Sequence, residues 1–357
     1  MGAPGGQQAA EAARMERPRL PRDLYAVQPL KAAAFLATGF GAFLGFGLLA
    51  AWLAQSHLPL ALRLLLVSIC VVAAAQGAHL LGFAGHEGIH VMLHPNKWTS
   101  TLLGAFASAA TSFPALGYGV AHWNHHRYTN QASDPDAAIY PQFRTFWRRF
   151  FFARGAGTRS HMRNLLLMAR GRPLPLGYRL PFTLEEQRTL ARINLGFLAF
   201  WFGLYGFIAY HLPWTALFAI GLPLLGVIPL SGLRGYIEHA GTGLGMFRDS
   251  RSFTHPLYTL LFFGNNYHLE HHIYPGVPCY NLPQVHRMLT AGGYFARWGS
   301  DVDATITGPL RATTSAVQYP APDEPDLAYD PFAKAIADDG TLPRMPLDRM
   351  TPDARVG

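Results

Sequence analysis

The chain has 357 residues, of which 50% are hydrophobic and 14% charged, whereas a soluble globular domain has roughly 25% charged residues. Its formal net charge is +8, but the cations are mostly arginines beside apolar stretches, a pattern unlike a nucleic-acid-binding surface. Two cysteines, Cys70 and Cys279, exclude a disulfide framework. The composition therefore predicts an integral membrane protein that does not bind nucleic acid.

The N-terminal part of the chain contains a polar tail and two predicted membrane spans. We expect residues 1–29, which are polar and rich in small residues at their start, to form a flexible tail. Residues 32–54 and 64–85 carry no charged side chain, and each is long enough for a bilayer core, which takes about 20 residues. The second span leads directly into His86 and His90, which form an HxxxH pattern.

A second histidine cluster follows an apolar stretch at residues 101–121. His122, His125 and His126 form an HxxHH pattern directly after this stretch. If residues 101–121 crossed the membrane, the first two clusters would lie on opposite faces, and no shared metal site could form. We therefore predict a re-entrant or interfacial segment here and do not count it as a span.

The C-terminal half begins with a second pair of predicted spans. Residues 193–233 carry no charged side chain and are about twice as long as one span requires. The sequence His-Leu-Pro at 211–213 interrupts them, so we predict a helical hairpin with spans at 193–210 and 214–233. A third histidine cluster follows, and its HxxHH pattern repeats the second; its members are His268, His271 and His272.

Residues 30–300 are predicted to form one catalytic domain, followed by an extended or disordered tail at 301–357, where proline, aspartate and alanine are frequent. Arginines are concentrated before the first span and between the second and third spans. By the positive-inside rule, both termini and all three histidine clusters are predicted to lie on the cytoplasmic face.

The histidine clusters have the spacing of metal ligands. On a helix, residues at i, i+3 and i+4 share one face, so each cluster can direct two or three imidazoles to one point. Imidazole is the commonest protein metal ligand and suits iron, zinc and copper. The eight histidines of the clusters exceed what one tetrahedral ion accepts, which favours two metal ions.

Two other functions fit part of this pattern. Residues 86–90 match the HExxH motif of zinc metalloproteases, in which Glu87 would be the general base. The metzincin extension is absent, because Leu93 and Asn96 stand where glycine and histidine are required. A protease would also leave two clusters unused, and the spacing is too regular for a metal transporter with histidine-rich loops. Both remain distant alternatives.

Taken together, the clusters resemble those of the membrane fatty acid desaturase and hydroxylase superfamily, whose members carry HxxxH or HxxxxH, then HxxHH, then HxxHH or QxxHH. The similarity extends to Arg127 and the Asp-Pro-Asp run at 134–136 after the second cluster. It also includes Asn266 and Tyr267 before the third cluster and the Tyr-Pro-Gly-Val-Pro run after it. It covers about residues 30–289.

The resemblance implies a non-haem di-iron centre at the cytosolic membrane face, where O₂ is used to oxidise an unactivated C–H bond beside a buried acyl tunnel. It also implies a ninth ligand after the fourth span, for which His239 is the candidate. Some members have an asparagine four residues earlier, where this chain has Gly235. The implied metal ligands are His86, His90, His122, His125, His126, His239, His268, His271 and His272.

We therefore expect an all-α, four-span membrane oxidoreductase with two iron ions and a cytosolic, histidine-rich catalytic cap. Desaturation of a fatty acyl chain is favoured, with hydroxylation of a lipid or carotenoid, or decarboxylation of a fatty acid to a terminal alkene, as alternatives. The HPGG haem motif of a fused cytochrome b5 is absent from this sequence, so a separate ferredoxin or reductase should supply electrons. Acidic residues near the ligands are expected to accept imidazole N–H groups: Glu87, Asp134, Asp136, Glu238 and Glu270.

Overall fold

The computed structural model describes residues 12, 14–174 and 180–315, and this part of the chain is mostly helical, with two short strands. The all-α prediction is confirmed. The first helices are α1 (Pro29–Phe40), α2 (Gly47–Ala54), α3 (Leu60–Ile89), α4 (Lys97–Ala109), α5 (Ala115–Tyr128), α6 (Phe146–Arg148) and α7 (Arg154–Ala169). The later helices are α8 (Leu184–His211), α9 (Pro213–Ala216), α10 (Leu222–Ile237), α11 (Pro256–Phe262), α12 (His268–Ile273), α13 (Leu282–Ala291), α14 (Tyr294–Trp298) and α15 (Gly308–Thr314).

Shorter helical turns and one strand pair complete the described part of the chain. Strands β1 (Arg251–Phe253) and β2 (Asp301–Asp303) pair in parallel, with Ser252 opposite Val302. Three segments are π-helical, namely Gly41–Phe46, Arg149–Ala153 and Leu217–Gly221, and three are 3₁₀-helical, namely Arg22–Tyr25, Tyr140–Gln142 and Cys279–Asn281.

Four helical segments are long and apolar enough to cross a membrane, as predicted: Arg22–Ala54, Leu60–Ile89, Leu184–His211 and Pro213–Ile237. They extend beyond the uncharged stretches because helices continue through polar residues at their ends. Thr183 caps α8 with a capping box, in which its side chain accepts from the Glu186 N–H and Glu186 accepts from the Thr183 N–H. The chain is therefore a membrane protein, while the side on which its termini lie stays a prediction.

Residues 101–121 fold as parts of two helices joined by a turn, and neither helix is a candidate span. Helices α4 and α5 have 13 and 14 residues, or about 20 Å each, which is shorter than a hydrocarbon core of about 30 Å. Ser112, in the turn, has a φ of 59°. The re-entrant or interfacial prediction agrees with this short hairpin.

The hairpin packs closely against the C-terminal part of α3. A Cβ atom added to Gly104 of α4 would lie 2.4 Å from the carbonyl oxygen of Ala84, and one added to Gly88 would lie 2.8 Å from the Gly104 Cα. Small residues permit such close contact between helices in membranes. On α5, a Cβ added to Gly119 would lie 3.2 Å from Ile89. This contact places α5 beside the end of α3, where the first histidine cluster lies.

Both terminal segments are partly described. Residues 14–29, within the predicted tail, contact the segment that follows the third histidine cluster. Tyr274 Oη donates to the Pro18 carbonyl at 2.7 Å, and Asn281 Nδ2 donates to the Leu24 carbonyl at 2.9 Å. Strand β2 and helix α15 occupy part of residues 301–315. The predicted boundaries at residues 30 and 300 stay predictions, and most of the predicted C-terminal tail, 316–357, lies outside the described residues.

Candidate metal centre

The structure collects all nine predicted ligands into two groups of buried imidazoles, and within each group the potential ligand atoms lie within 4.8 Å of one another. One, here called the five-histidine group, consists of His86, His90, His122, His126 and His271. The other, the four-histidine group, consists of His125, His239, His268 and His272.

The nitrogens of the five-histidine group converge from α3, α5 and α12. The Nε2 atom of His271 lies 3.0 Å from that of His86 and 2.9 Å from that of His126, which is 2.9 Å from the Nε2 of His122. Two nitrogens bound at right angles to one ion, each about 2.1 Å from it, would be about 3 Å apart. The observed separations fit such an ion.

His90 supplies an independent test of this fit. Its side chain is buried, and neither ring nitrogen has a hydrogen-bond partner among the described residues. An unsatisfied buried polar atom costs free energy. The His90 ring lies 4.7 Å from His86 and 5.0 Å from His122 between centroids. A metal ion held by the group would satisfy one of its nitrogens.

The four-histidine group adjoins the first. His239 lies at its centre, with its Nε2 3.1 Å from that of His125 and 2.9 Å from that of His268. The rings of His126 and His272, which belong to different groups, have centroids only 4.4 Å apart. Two ions held in these groups would therefore be neighbours. The sequence patterns alternate between the groups, because His125 and His126 are adjacent in the chain yet belong to different groups.

Oxygen atoms bind the outer nitrogens of several imidazoles, which leaves Nε2 directed into the groups. Glu87 lies 3.0 Å from His86 Nδ1, and Asp134 lies 2.8 Å from His125 Nδ1. His239 Nδ1 lies 2.8 Å from the carbonyl oxygen of Asp249. Such contacts fix the tautomer and the ring orientation of a ligand.

The remaining carboxylates differ in part from the sequence expectation. Glu238 lies 3.7 Å from His268 Nδ1, and its shorter contact, at 2.6 Å, is with Arg234. The expectation for Glu270 was wrong, because this carboxylate contacts Ser252 and His286, which is outside both groups. Asp249, which lacks any sequence motif, was missed. Asp249 lies in the loop between α10 and β1, and it comes close to His239 only when this loop is folded.

Burial keeps most of these imidazoles in the neutral form that binds metals. It lowers the pKa of His90, His122, His126 and His271 well below the usual value, and repulsion from neighbouring imidazoles lowers it further. Neutral nitrogen retains the lone pair that coordinates an ion.

His125 differs from these four. Burial lowers its pKa, but the carboxylates of Asp134 and Asp136 outweigh burial and raise the pKa to about 9. The carboxylate of Asp134 holds a proton on Nδ1. The Nε2 atom is therefore the one that would bind a metal ion, and it would release its proton on binding.

The cavity beside the two groups is lined by aromatic and polar side chains together, so it is less uniformly apolar than the acyl tunnel expected from the resemblance. It has a volume of about 130 Å³ and is bounded by histidines of both groups. Its other walls include Tyr118, Tyr140, Asp136 and Arg154. A Cβ added to Gly235 would lie 2.6 Å from the Tyr140 hydroxyl oxygen. Thus, the tyrosine hydroxyl fills the space that an asparagine at position 235 would enter.

A larger groove meets this cavity at Arg154 and Thr158. It has a volume of about 970 Å³ and lies between α7, α8 and α10. Its wall combines apolar residues such as Phe202 and Leu224 with arginines of α7, and no acidic residue lines it in the described part of the chain. The groove is large enough for a hydrocarbon chain.

The histidines that we did not assign as ligands lie outside both groups. His79 is buried against Phe83 and Phe262, and His94 accepts from the Asn96 N–H. His255 accepts from the Leu257 N–H at the start of α11. These contacts indicate packing for His79 and local hydrogen bonding for His94 and His255.

Two comparisons with known proteins point in the same direction. The sequence model described as "Fatty acid desaturase" matches residues 61–299. A protein named sn-1 oleoyl-lipid 12-desaturase, from Picosynechococcus sp., is 31% identical over 121 residues, which are 33% of this chain and 31% of the relative. The alignment thus spans less than a third of that relative's length.

Proposed function

Because this chain belongs to the fatty acid desaturase family, we propose that it uses O₂ and a di-iron centre to oxidise an unactivated C–H bond of a fatty acyl or lipid substrate. The observation that carries this proposal is the pair of adjoining histidine groups, with five and four potential ligands. One tetrahedral ion would leave more than half of these buried imidazoles without a function.

We assign one iron to the five-histidine group and the other to the four-histidine group. When bound, the two irons would activate O₂ for hydrogen removal, which no amino-acid side chain can perform on an unactivated C–H bond. The protein's part is to orient the imidazoles through Glu87, Asp134 and Asp249 and to exclude water. Eight of the nine histidines are buried and His268 is half-buried, which would protect reactive species from side reactions.

Desaturation is the reaction we favour, supported by the name of the cyanobacterial relative. It would remove two hydrogens from adjacent carbons and, with O₂, two electrons and two protons, would yield one double bond and two waters. Hydroxylation would insert one oxygen atom and release one water. Decarboxylation of a fatty acid would yield a terminal alkene, CO₂ and two waters. A separate ferredoxin or reductase would supply the electrons in each case.

The contacts of Glu87 argue against the zinc-protease alternative. Its two carboxylate oxygens face His86 Nδ1 at 3.0 Å and the Cys279 N–H at 3.0 Å. A general base must reach a metal-bound water. These contacts instead hold the Glu87 carboxylate at Nδ1 of His86, whereas the Nε2 of His86 faces the other histidines. The three clusters also join in one site, which the HExxH motif alone does not require.

Two measurements test the proposal. Metal analysis of the purified protein should give iron near two atoms per chain, and one zinc without iron would instead favour the protease. Mass spectrometry of lipids and hydrocarbons from cells with the wild-type chain should show a product absent from cells with His271→Ala. Because His271 lies in the short helix α12, beyond the four candidate spans, equal membrane levels of both chains would make the comparison valid.

We also propose that both termini and the histidine groups face the cytoplasm. Single-cysteine variants Pro95→Cys, Ser160→Cys and Ser300→Cys should all react with a thiol reagent from the cytoplasmic side. Cys70 and Cys279 are buried, so their background labelling should be low. Labelling of position 160 from the opposite side would contradict both the orientation and the shared metal site.

A further inference from the structure

Arg154 occupies the junction between the groove and the polar cavity, and it is the residue on which the substrate inference depends. It lines both spaces together with Thr158. Its Nη1 donates to Ser231 Oγ at 2.8 Å, and its Nη2 donates to the Thr111 carbonyl at 3.3 Å. Among the described residues, no carboxylate forms an ion pair with Arg154. Its other contact is with the Phe113 ring, whose centroid lies 5.3 Å from the guanidinium carbon. The partners of Arg154 are thus uncharged, and no carboxylate among the described residues compensates its charge.

The acidic groups of the cavity have other partners. Glu238 lies 2.6 Å from Arg234 Nε, and Asp136 lies 3.8 Å from His125 Nδ1. Burial lowers the pKa of Arg154 only to about 10, so the guanidinium stays charged at neutral pH. Arg154 is half-buried, so it has lost part of its hydration without gaining a carboxylate partner, and an anionic ligand would offset that loss.

We propose that Arg154 binds the carboxylate of a free fatty acid, so that the carbons next to that carboxylate face the histidine groups. This inference rests on the proposed function and specifies its substrate class. The cavity of about 130 Å³ is smaller than a typical ligand pocket of about 300–1,000 Å³. It accommodates the polar end and its first carbons, while the groove of about 970 Å³ takes the remaining chain.

The polarity of the two spaces sets this orientation. An alkyl end in the inner cavity would remove the Arg154 guanidinium from water without replacing its hydration, which is unfavourable. The groove has the reverse character, since Phe202 and Leu224 are among its apolar walls. A carboxylate directed inward and a hydrocarbon chain directed outward match both surfaces.

Arginines at the exposed rim of the groove provide the opposing hypothesis and a matched control. Arg163 lies on α7 like Arg154, but it is exposed. If the carboxylate were bound at the rim with the chain directed inward, Arg163 would be more important than Arg154. Replacing each arginine by glutamine removes the same charge at the two ends of the same groove.

The test measures binding of dodecanoate, methyl dodecanoate and dodecyl phosphate to the purified full chain in detergent, by isothermal calorimetry. We expect dodecanoate to bind at least tenfold more tightly than its ester, since hydrogen bonds to charged groups are about twice as strong as neutral ones. Arg154→Gln should abolish this preference, whereas Arg154→Lys should retain part of it and Arg163→Gln should retain all of it.

Three outcomes would overturn the inference: equal binding of acid and ester by the wild type, a preference that Arg154→Gln leaves intact, or loss of the preference only in Arg163→Gln. Tenfold tighter binding of dodecyl phosphate than of dodecanoate would assign the site to a phosphate group instead. Ser231→Ala, which removes the hydroxyl that orients the guanidinium, should weaken the preference even if Arg154→Gln misfolds. Iron content distinguishes the two proposals, because wild-type protein without iron would contradict the function whatever it binds.

Discussion

The two histidine groups differ in how their imidazoles are supported. The five-histidine group has more nitrogen donors, and its described carboxylate contact is that of Glu87 with His86. The four-histidine group has fewer donors and more neighbouring carboxylates, with that of Asp134 2.8 Å from His125 Nδ1 and that of Asp249 3.7 Å from His272 Nδ1. Nearby carboxylates offset the positive charge of a bound ion. The five-histidine group would therefore hold its ion through a larger number of ligands. The four-histidine group would hold its ion through fewer ligands and nearby carboxylates.

The largest effects should come from His271 and His272, which are adjacent on α12 but belong to different groups. We expect His271→Ala and His272→Ala each to lower activity at least about 100-fold and to remove about one of two irons. Mössbauer spectra should then lose a different iron signal in each variant. Loss of the same signal in both would show that the two groups are not separate sites.

Replacing His239 should weaken the four-histidine group almost as strongly, because its Nε2 lies close to those of both His125 and His268. We expect His239→Ala to lose activity and part of the iron. His255→Ala is the matched control from the same loop region and should keep both, since His255 caps α11. Iron loss confined to His255→Ala would contradict the ninth-ligand assignment.

Replacing the carboxylates that contact the imidazoles should have intermediate effects, and each replacement should weaken one of the two groups. Asp134→Asn should weaken iron binding in the four-histidine group, and Glu87→Gln should weaken it in the five-histidine group, each by about 10- to 100-fold. Iron retention during chelator titration measures both. If Asp134→Asn instead weakens iron binding more in the five-histidine group, Asp134 does not support the four-histidine group as described.

The smallest expected effect concerns Gly235. Overpacking costs about 1–3 kcal/mol, and a methyl group at this position would meet the Tyr140 hydroxyl 2.6 Å away. We expect Gly235→Ala to lower the melting temperature and the activity moderately, mainly through the four-histidine group. The double variant Gly235→Ala/Tyr140→Phe should recover part of both. No recovery would mean that the methyl group acts through another contact.

Local sequence patterns were sufficient to predict the spans, the hairpin and eight of the nine histidines, but not how the histidines divide between the two groups. Hydropathy identifies helices that face lipid, and helical spacing aligns residues such as His122 and His126 on one face. The assignment of His239 depended instead on the family resemblance, because it lies outside every cluster.

Contacts between distant segments could not be predicted in this way. Asp249 reaches His239 only because the chain turns between α10 and β1, and Tyr140 reaches position 235 across a gap of some ninety residues in sequence. Glu270 follows a ligand in sequence, yet the folded chain directs it to Ser252 of β1. Arg154 was one of several arginines in a basic segment, and only the two adjoining spaces distinguish it.

The distribution of the histidines along the chain affects biosynthesis. Four members of the five-histidine group, His86, His90, His122 and His126, precede α8, whereas the four-histidine group has only His125 before that point. Chains fold from the N-terminus as they emerge from the ribosome. We expect the growing chain to present four imidazoles to divalent ions before the second site exists. With iron as the proposed metal, we therefore expect its selection over more tightly binding ions to begin before translation ends.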